Sequence, residues 1–448
     1  MTKRPLSLRF LTAMLHRLVK KGSLTLVDAD GAPHQFGDGG PPRAIMHIGD
    51  PKLYAALFLN PELKTGEAYM DGTLFFEDSS VRDLLQIFHI NKRNFRDNPA
   101  RKAWFNALKR LKRFHQRNPI GRARRNVAHH YDISNDLYRL FLDEELNYSC
   151  AYFETPDQSL EDAQRAKLRH IASKLRIEPG MRVLDIGCGW GAMAFYLAET
   201  LDAEVLGVTL SAEQLKEARA RAAARGLSGK VEFRLCDYRE VAGTFDRIVS
   251  VGMFEHVGVP QYKEFFGRLH DLLAGDGLAL LHSIGAKGGP SVTGPWIRKY
   301  IFPGGYSPAL SETIAAVEPS GLWVTDIEIW RLHYAETLKE WARRFAANRD
   351  KAAAMFDERF CRMWEFYLAT SEFAFRHGGH MVFQMQLAKD VGAAPVTRDY
   401  CFEDEDGLRE KDAAASPWPV HAACCDQRAE SASQASATTR GTGRLPVR

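Results

Sequence analysis

The segment Val183-Leu184-Asp185-Ile186-Gly187-Cys188-Gly189-Trp190-Gly191 carries the clearest chemical signal in this 448-residue chain: an apolar strand runs straight into a glycine turn and a helical pattern. Glycines at such a turn let the backbone come close to a ligand, while the helix N-terminus faces it. The spacing is Gly-x-Gly-x-Gly, which disfavours a dinucleotide whose pyrophosphate would rest on Gly-x-Gly-x-x-Gly. Asp185 puts a carboxylate at the same crevice, so the ligand should carry positive charge. The blander reading is a buried strand and a tight turn with no ligand at all.

Other candidates are weaker one by one. Glu255-His256 closes an apolar strand, and burying a carboxylate there without a partner is costly. Cys150 alone reads as a small buried hydrophobe, and His282 alone as a hydrogen-bonded residue at a strand end. The seven cysteines (150, 188, 236, 361, 401, 424, 425) form no short-spaced pairs, so no metal site and no disulfide framework is expected.

The turn with Asp185, Gly187 and Gly189 resembles motif I of class I methyltransferases, which bind S-adenosylmethionine. Those enzymes usually end the next strand with an acid for the ribose; here it ends Val208-Thr209-Leu210-Ser211. The resemblance leaves Thr209, Leu210 and Gln214 to offer neutral contacts to the nucleoside, and Asp237 with Tyr238 to flank adenine. Five further motifs occur in order: Tyr148-Ser149-Cys150-Ala151-Tyr152-Phe153, Gly207-Val208-Thr209-Leu210-Ser211, Val251-Gly252-Met253-Phe254-Glu255-His256-Val257-Gly258, Leu281-His282-Ser283-Ile284-Gly285 and Phe302-Pro303-Gly304-Gly305. Together they resemble the cyclopropane-fatty-acyl-phospholipid synthase family. The likeness runs from about residue 126 to 389, and more weakly through the N-terminal region.

The resemblance implies a methylene transfer from S-adenosylmethionine to the cis double bond of an unsaturated phospholipid chain in a membrane. The isolated alkene attacks a sulfonium methyl and becomes a carbocation, which demands a dry pocket with aromatic faces. Ring closure needs a base for a proton of the transferred methyl. In the family this is a bound bicarbonate ion, whose cradle carries over to Cys150, Glu255, His282, the Ile284 backbone and Tyr334. Tyr148 and Ser149 carry over to the cofactor side. Where the family often has cysteine in a Tyr-Leu-x-x-Cys segment, this chain has Tyr367-Leu368-Ala369-Thr370-Ser371. Direct attack by the alkene needs no thiol, so Ser371 reads as packing. A methyl-branched lipid product, a methyltransferase acting on a soluble oxygen or nitrogen nucleophile, and a lipid carrier with a vestigial catalytic domain are the competing readings.

These residues need a scaffold. From about residue 160 strands and helices alternate: helix 159–175, strand 181–187, helix 193–200, strand 203–210, helix 211–225, strands 230–237 and 245–252, helix 261–273 and strand 278–284. That alternation predicts an α/β fold with a parallel, doubly wound (Rossmann-like) sheet, covered by an aromatic-rich helical region at 331–390. Residues 1–90 read as a small α+β domain with a hairpin turn at Asp30-Gly31, which the resemblance assigns to lipid handling or to assembly of a homodimer. A linker helix at 91–125, a catalytic domain at 126–402 and a disordered tail at 403–448 complete the expected organisation.

Composition is that of an ordinary globular chain, 45% hydrophobic and 26% charged. No run approaches the length of a membrane-spanning helix, and His16, Arg17, Lys20 and Lys21 interrupt any signal-peptide core, so a cytoplasmic location is expected. The net charge is +4, yet residues 92–125 hold 13 Lys and Arg against Asp97 alone, leaving the remainder acidic. With Trp104, Leu108 and Leu111 at helical spacing, that block reads as a cationic amphipathic surface for an anionic membrane face, or as a solvated helix on its own domain. No groove-reading motif accompanies the charge, so nucleic acid is not the expected partner.

Overall fold

The computed structural model describes residues 5–96 and 134–414. The N-terminal unit is a four-stranded sheet, β1 (Ser23–Val27), β2 (Pro33–Gly37), β3 (Arg43–Ile48) and β4 (Leu74–Glu77), in the order β2-β1-β3-β4. The turn at Asp30-Gly31 joins β1 to β2; Gly31 has φ +82°, and Asp28 Oδ1 accepts the backbone N–H groups of Asp30 and Ala32. The Leu6–Leu18 helix buries Leu8, Leu11 and Leu15, spaced three and four apart on one face.

A seven-stranded sheet follows, with strands β5 (Arg182–Ile186), β6 (Glu204–Thr209), β7 (Val231–Leu235), β8 (Phe245–Val251), β9 (Leu273–Ala286), β10 (Trp323–Trp330) and β11 (His380–Ala388). Their order is β10-β11-β9-β8-β5-β6-β7. Strands β5 to β9 pair parallel, as the alternation predicts, and each face is covered by a helical layer over an apolar cluster. The order reverses at β5, between β6 and β8, so the glycine turn leaves the sheet at its topological switch point, where open α/β sheets bind ligands.

Two strands correct the sequence reading. Strand β10 was not expected, and β11 lies in the region assigned to helices; both pair antiparallel, which makes the sheet mixed. Phe383, Met385 and Leu387 alternate with Gln384 and Gln386 at period two, but every residue from Met381 to Ala388 is buried, glutamines included, so the polar positions mark no solvent face.

The expected boundary of a disordered tail at 403 falls inside a helix, so residues 403–414 are ordered. Asp399–Ala414 is a helix with Cys401, Glu405 and Leu408 buried. Its Glu405 Oε2 meets His170 Nδ1 at 2.9 Å, and Asp412 Oδ2 accepts from Arg169 at 2.8 Å. The rest of that tail, and most of the cationic block at 92–125, fall outside the described residues.

The aromatic residues of the His333–Ala347 and Glu358–Arg376 helices gather with Tyr138, Phe141, Tyr148 and Trp190 into a third cluster. Trp296 joins the N-terminal unit to this cluster. It lies so close to Gly66 that a Cβ there would come within 2.4 Å of the indole, and its Nε1 donates to Met70 Sδ at 3.3 Å.

Candidate active site

Beyond β5 the backbone enters the left-handed region at Gly187 (φ +81°), Gly189 (φ +56°) and Gly191 (φ +92°). A Cβ on Gly187 would meet Met253 at 2.8 Å, whereas Gly189 faces open space, leaving bare main chain toward a cavity. The cavity is lined by Tyr148, Ser149, Asp185, Gly187, Gly189, Thr209, Leu210, Gln214, Asp237 and Tyr238, all ten residues expected around the cofactor. Lys167, Met253, His256, Pro303 and Gly304 line it as well.

Asp185 is 1% exposed, and its Oδ2 has no hydrogen-bond partner among the described residues. Burial pushes its carboxyl up to about 7, against the opposing charge of Lys167. An acceptor left unsatisfied in so dry a place suits a ligand that brings a cationic donor. Thr209 Oγ1 donates to Gln214 Oε1 at 2.9 Å, which leaves the Gln214 amide NH₂ as a donor on the same wall. This donor set fits the amine and ribose of S-adenosylmethionine. Asp237 is engaged differently from expectation: Arg239 donates to Oδ1 and Oδ2, each at 2.7 Å, so its charge is paired within the chain.

The residues carried over as the bicarbonate cradle stand beside this cavity rather than on its wall. Ile284 donates its backbone N–H to Glu255 Oε1 at 2.6 Å, while Oε2 is buried without a partner among the described residues. Burial pushes Glu255 up to about 7, the Ile284 bond opposing it. His282 lies two residues before Ile284 on β9, on the same face of the strand. Cys150 (1% exposed) is fixed by its successor: Ala151 N donates to Thr337 Oγ1 at 3.0 Å, one turn along the helix from Tyr334. Cys150 and Tyr334 share the aromatic cluster, with Ile284 packed against it, and Tyr334 contacts Phe375 and Trp341. Burial pushes the Cys150 thiol far up, which keeps it a neutral thiol rather than a nucleophile.

Lys167 links the two groups, and the sequence reading passed over it. It is 1% exposed, and its Nζ donates to Asn147 Oδ1 at 2.7 Å and to Ser149 Oγ at 3.0 Å. Burial pushes it down to about 8, while Asp143, Cys150 and Asp185 act to raise it. It thus pins the Tyr148-bearing loop to the Leu160–Leu175 helix and sets a positive charge near Asp185. Gln164, Lys167 and Lys174 repeat at helical spacing on the buried face with Leu160 and Ile171, and charged residues on such a stripe are a readable signal.

Residues 119–385 match the family model for mycolic acid cyclopropane synthetase. The chain is 38% identical over 366 residues to the cyclopropane-fatty-acyl-phospholipid synthase of Escherichia coli, covering 78% of this chain and 88% of that one. It is 37% identical over 363 residues to a probable fatty acid methyltransferase of Pseudomonas putida, covering 80% and 90%. The cyclopropane synthase MmaA2 of Mycobacterium tuberculosis superposes with a TM-score of 0.57 at 34% identity, over 61% of this chain and 99% of that structure. With the seven-stranded sheet, the glycine turn at its switch point and the buried Asp185 beside it, these matches show that the chain belongs to the cyclopropane synthase family of class I methyltransferases.

Proposed function

We propose that the chain is a cyclopropane-fatty-acyl-phospholipid synthase that works at the inner face of the membrane. It would use S-adenosylmethionine as methylene donor and a bicarbonate ion as base on the cis double bond of an unsaturated phospholipid. The observation that carries this reading is the pairing of two groups: a cavity lined by Asp185 and the glycine turn, and beside it a buried Glu255 tied to Ile284, which packs against the aromatic cluster.

When bound, S-adenosylmethionine supplies an electrophilic methyl. The chain's own residues supply the rest. Asp185 and Gln214 orient the cofactor's polar end. Apolar and aromatic side chains exclude water that would quench a carbocation on the acyl chain. Glu255, His282, Tyr334 and the Cys150 and Ile284 segments would hold an anion able to accept a proton of the transferred methyl; the π pair and the C–H pair would become the two new carbon–carbon bonds, while the C–S pair would leave with the cofactor's sulfur. Because Glu255 itself is pushed toward neutrality, it can share a proton with the anion instead of repelling it.

Membrane access is supported by exposed apolar side chains on the N-terminal unit: Leu6, Phe10, Phe58 and Leu59, with the rings of Phe10 and Phe58 5.8 Å apart and Arg9 exposed between Leu6 and Phe10. Among the described residues no helix is long and apolar enough to cross a membrane.

The test is incubation of the protein with unsaturated phospholipid vesicles and methyl-labelled cofactor, then mass and proton analysis of the acyl chains. The expected product gains one CH₂, shows ring protons and no longer behaves as an alkene. A gain of one CH₂ without a ring identifies the alternative methyl-branched lipid. Label appearing in no lipid refutes both.

A further inference from the structure

His282 of β9 is 2% exposed and stands directly across from Gln384 of β11 in the antiparallel ladder. Gln384 is fully buried, and its two amide atoms have different partners: Oε1 lies 2.7 Å from Nζ of Lys174, and Nε2 lies 3.2 Å from Nδ1 of His282. An ammonium can only donate, so the amide oxygen must face Lys174. The amide NH₂ must then face the imidazole, and it too can only donate. Nδ1 therefore accepts, and the ring proton resides on Nε2.

The donor at the start of this chain is itself held in place. Lys174, 1% exposed, pairs with Glu328, whose Oε2 also meets His170 Nε2 at 2.7 Å. Burial, aided by the positive charges of Lys167 and Lys174, keeps His282 well below the ordinary histidine value, so the ring is neutral at physiological pH. The opposite tautomer would break the Gln384 bond and turn a lone pair toward any anion at Nε2.

We infer that Lys174 and Gln384 are positioning residues that lock His282 in its Nε2–H tautomer, so that the imidazole presents a hydrogen-bond donor to the anion held beside Glu255 and Ile284. The inference rests on the cradle proposed above, and it adds two residues outside the lining of the cofactor cavity.

The test uses the full-length protein labelled with ¹⁵N-histidine, with the His282 signals assigned by difference from His282→Gln. Expected is a neutral ring with bare Nδ1 and protonated Nε2 from about pH 6 to about pH 8. In Gln384→Glu the new carboxylate accepts from the ring, and the proton moves to Nδ1. Turnover on unsaturated vesicles then falls about tenfold to a hundredfold, with KM for the cofactor held within about twofold. A wild-type ring that is protonated on Nδ1 or doubly protonated at neutral pH overturns the inference, as does a tautomer unmoved by Gln384→Glu. If the proton moves but turnover stays at the wild-type level, the lock stands and His282 loses its place in the cradle. Should Gln384→Glu fail to fold, the wild-type spectrum decides.

Discussion

The carboxylate of Glu255 receives the backbone N–H of Ile284 on one oxygen at 2.6 Å and keeps the other oxygen buried without a partner among the described residues. One bond fixes the direction of the side chain. The second oxygen is an unmet acceptor within a largely apolar region, and a protonated anion could satisfy it.

Glu255→Gln preserves the shape and removes the acid. Proton transfer by a positioned group contributes on the order of a hundredfold to ten-thousandfold in rate. The variant is expected to lose about that much turnover on vesicles while its cofactor affinity stays near wild type. Full activity in Glu255→Gln would rule out the cradle.

Asp185 and Glu255 are both raised by burial to about 7, whereas an unfolded chain loses these protons near pH 4. Between those values the folded protein binds more protons than the unfolded one, so stability falls as pH rises through about 4 to 7 and stays reduced on the alkaline side. Asp185→Asn and Glu255→Gln should each flatten that slope and raise the unfolding free energy at pH 8 by about 2–4 kcal/mol. Urea unfolding curves at several pH values check this; parallel pH profiles for wild type and variants would refute it.

A cation bound at Asp185 relieves the same penalty by favouring the ionised form. S-adenosylmethionine is therefore expected to raise the melting temperature more at about pH 8 than at about pH 6, and the difference should vanish in Asp185→Asn. Thermal scans with and without the cofactor measure it.

Lys167→Met removes the charge that pins Asn147 and Ser149 and opposes Asp185. Leaving the buried Asn147 and Ser149 oxygens without their donor costs about 1–3 kcal/mol, and the loosened loop should also weaken cofactor binding. Denaturant unfolding and cofactor titration report the two losses separately. A stable variant with unchanged affinity would show that Lys167 is passive filling.

Phe10→Asp and Leu59→Asp place a charge on the exposed apolar patch. If the patch enters the lipid interface, each removes about 1.5–3 kcal/mol of side-chain burial. Co-sedimentation with anionic vesicles should drop by about tenfold or more, with soluble-state stability unchanged. Equal sedimentation would move the contact elsewhere.

Much of this was legible because the information is local. The Val183–Gly191 strand and turn, the Asp30-Gly31 hairpin and the five parallel strands each follow from spacing within a few residues. The ordered motifs and the resemblance they carry name ten residues that line one cavity. Strands β10 and β11 were not legible because their pairing partners lie far away in sequence and buried glutamines disguise β11. The pairing of Asp237 with Arg239 lies within three residues, yet the segment's spacing carries no sign of it. The roles of Lys167, Lys174 and Gln384 depend on which polar atoms meet across the sheet and the Leu160–Leu175 helix, and no window of sequence contains that.

The Asp399–Ala414 helix lies beyond the stretch matched by the family model, yet its acids neutralise Arg169 and His170 on the element that also carries Lys167 and Lys174. A gene trimmed to the family-matched boundaries would strip Asp412 from Arg169 and Glu405 from His170, leaving Glu154 and Glu328 as their remaining acidic partners. A recombinant gene should therefore extend past Ala414, and a fusion partner is better attached beyond that helix than in place of it.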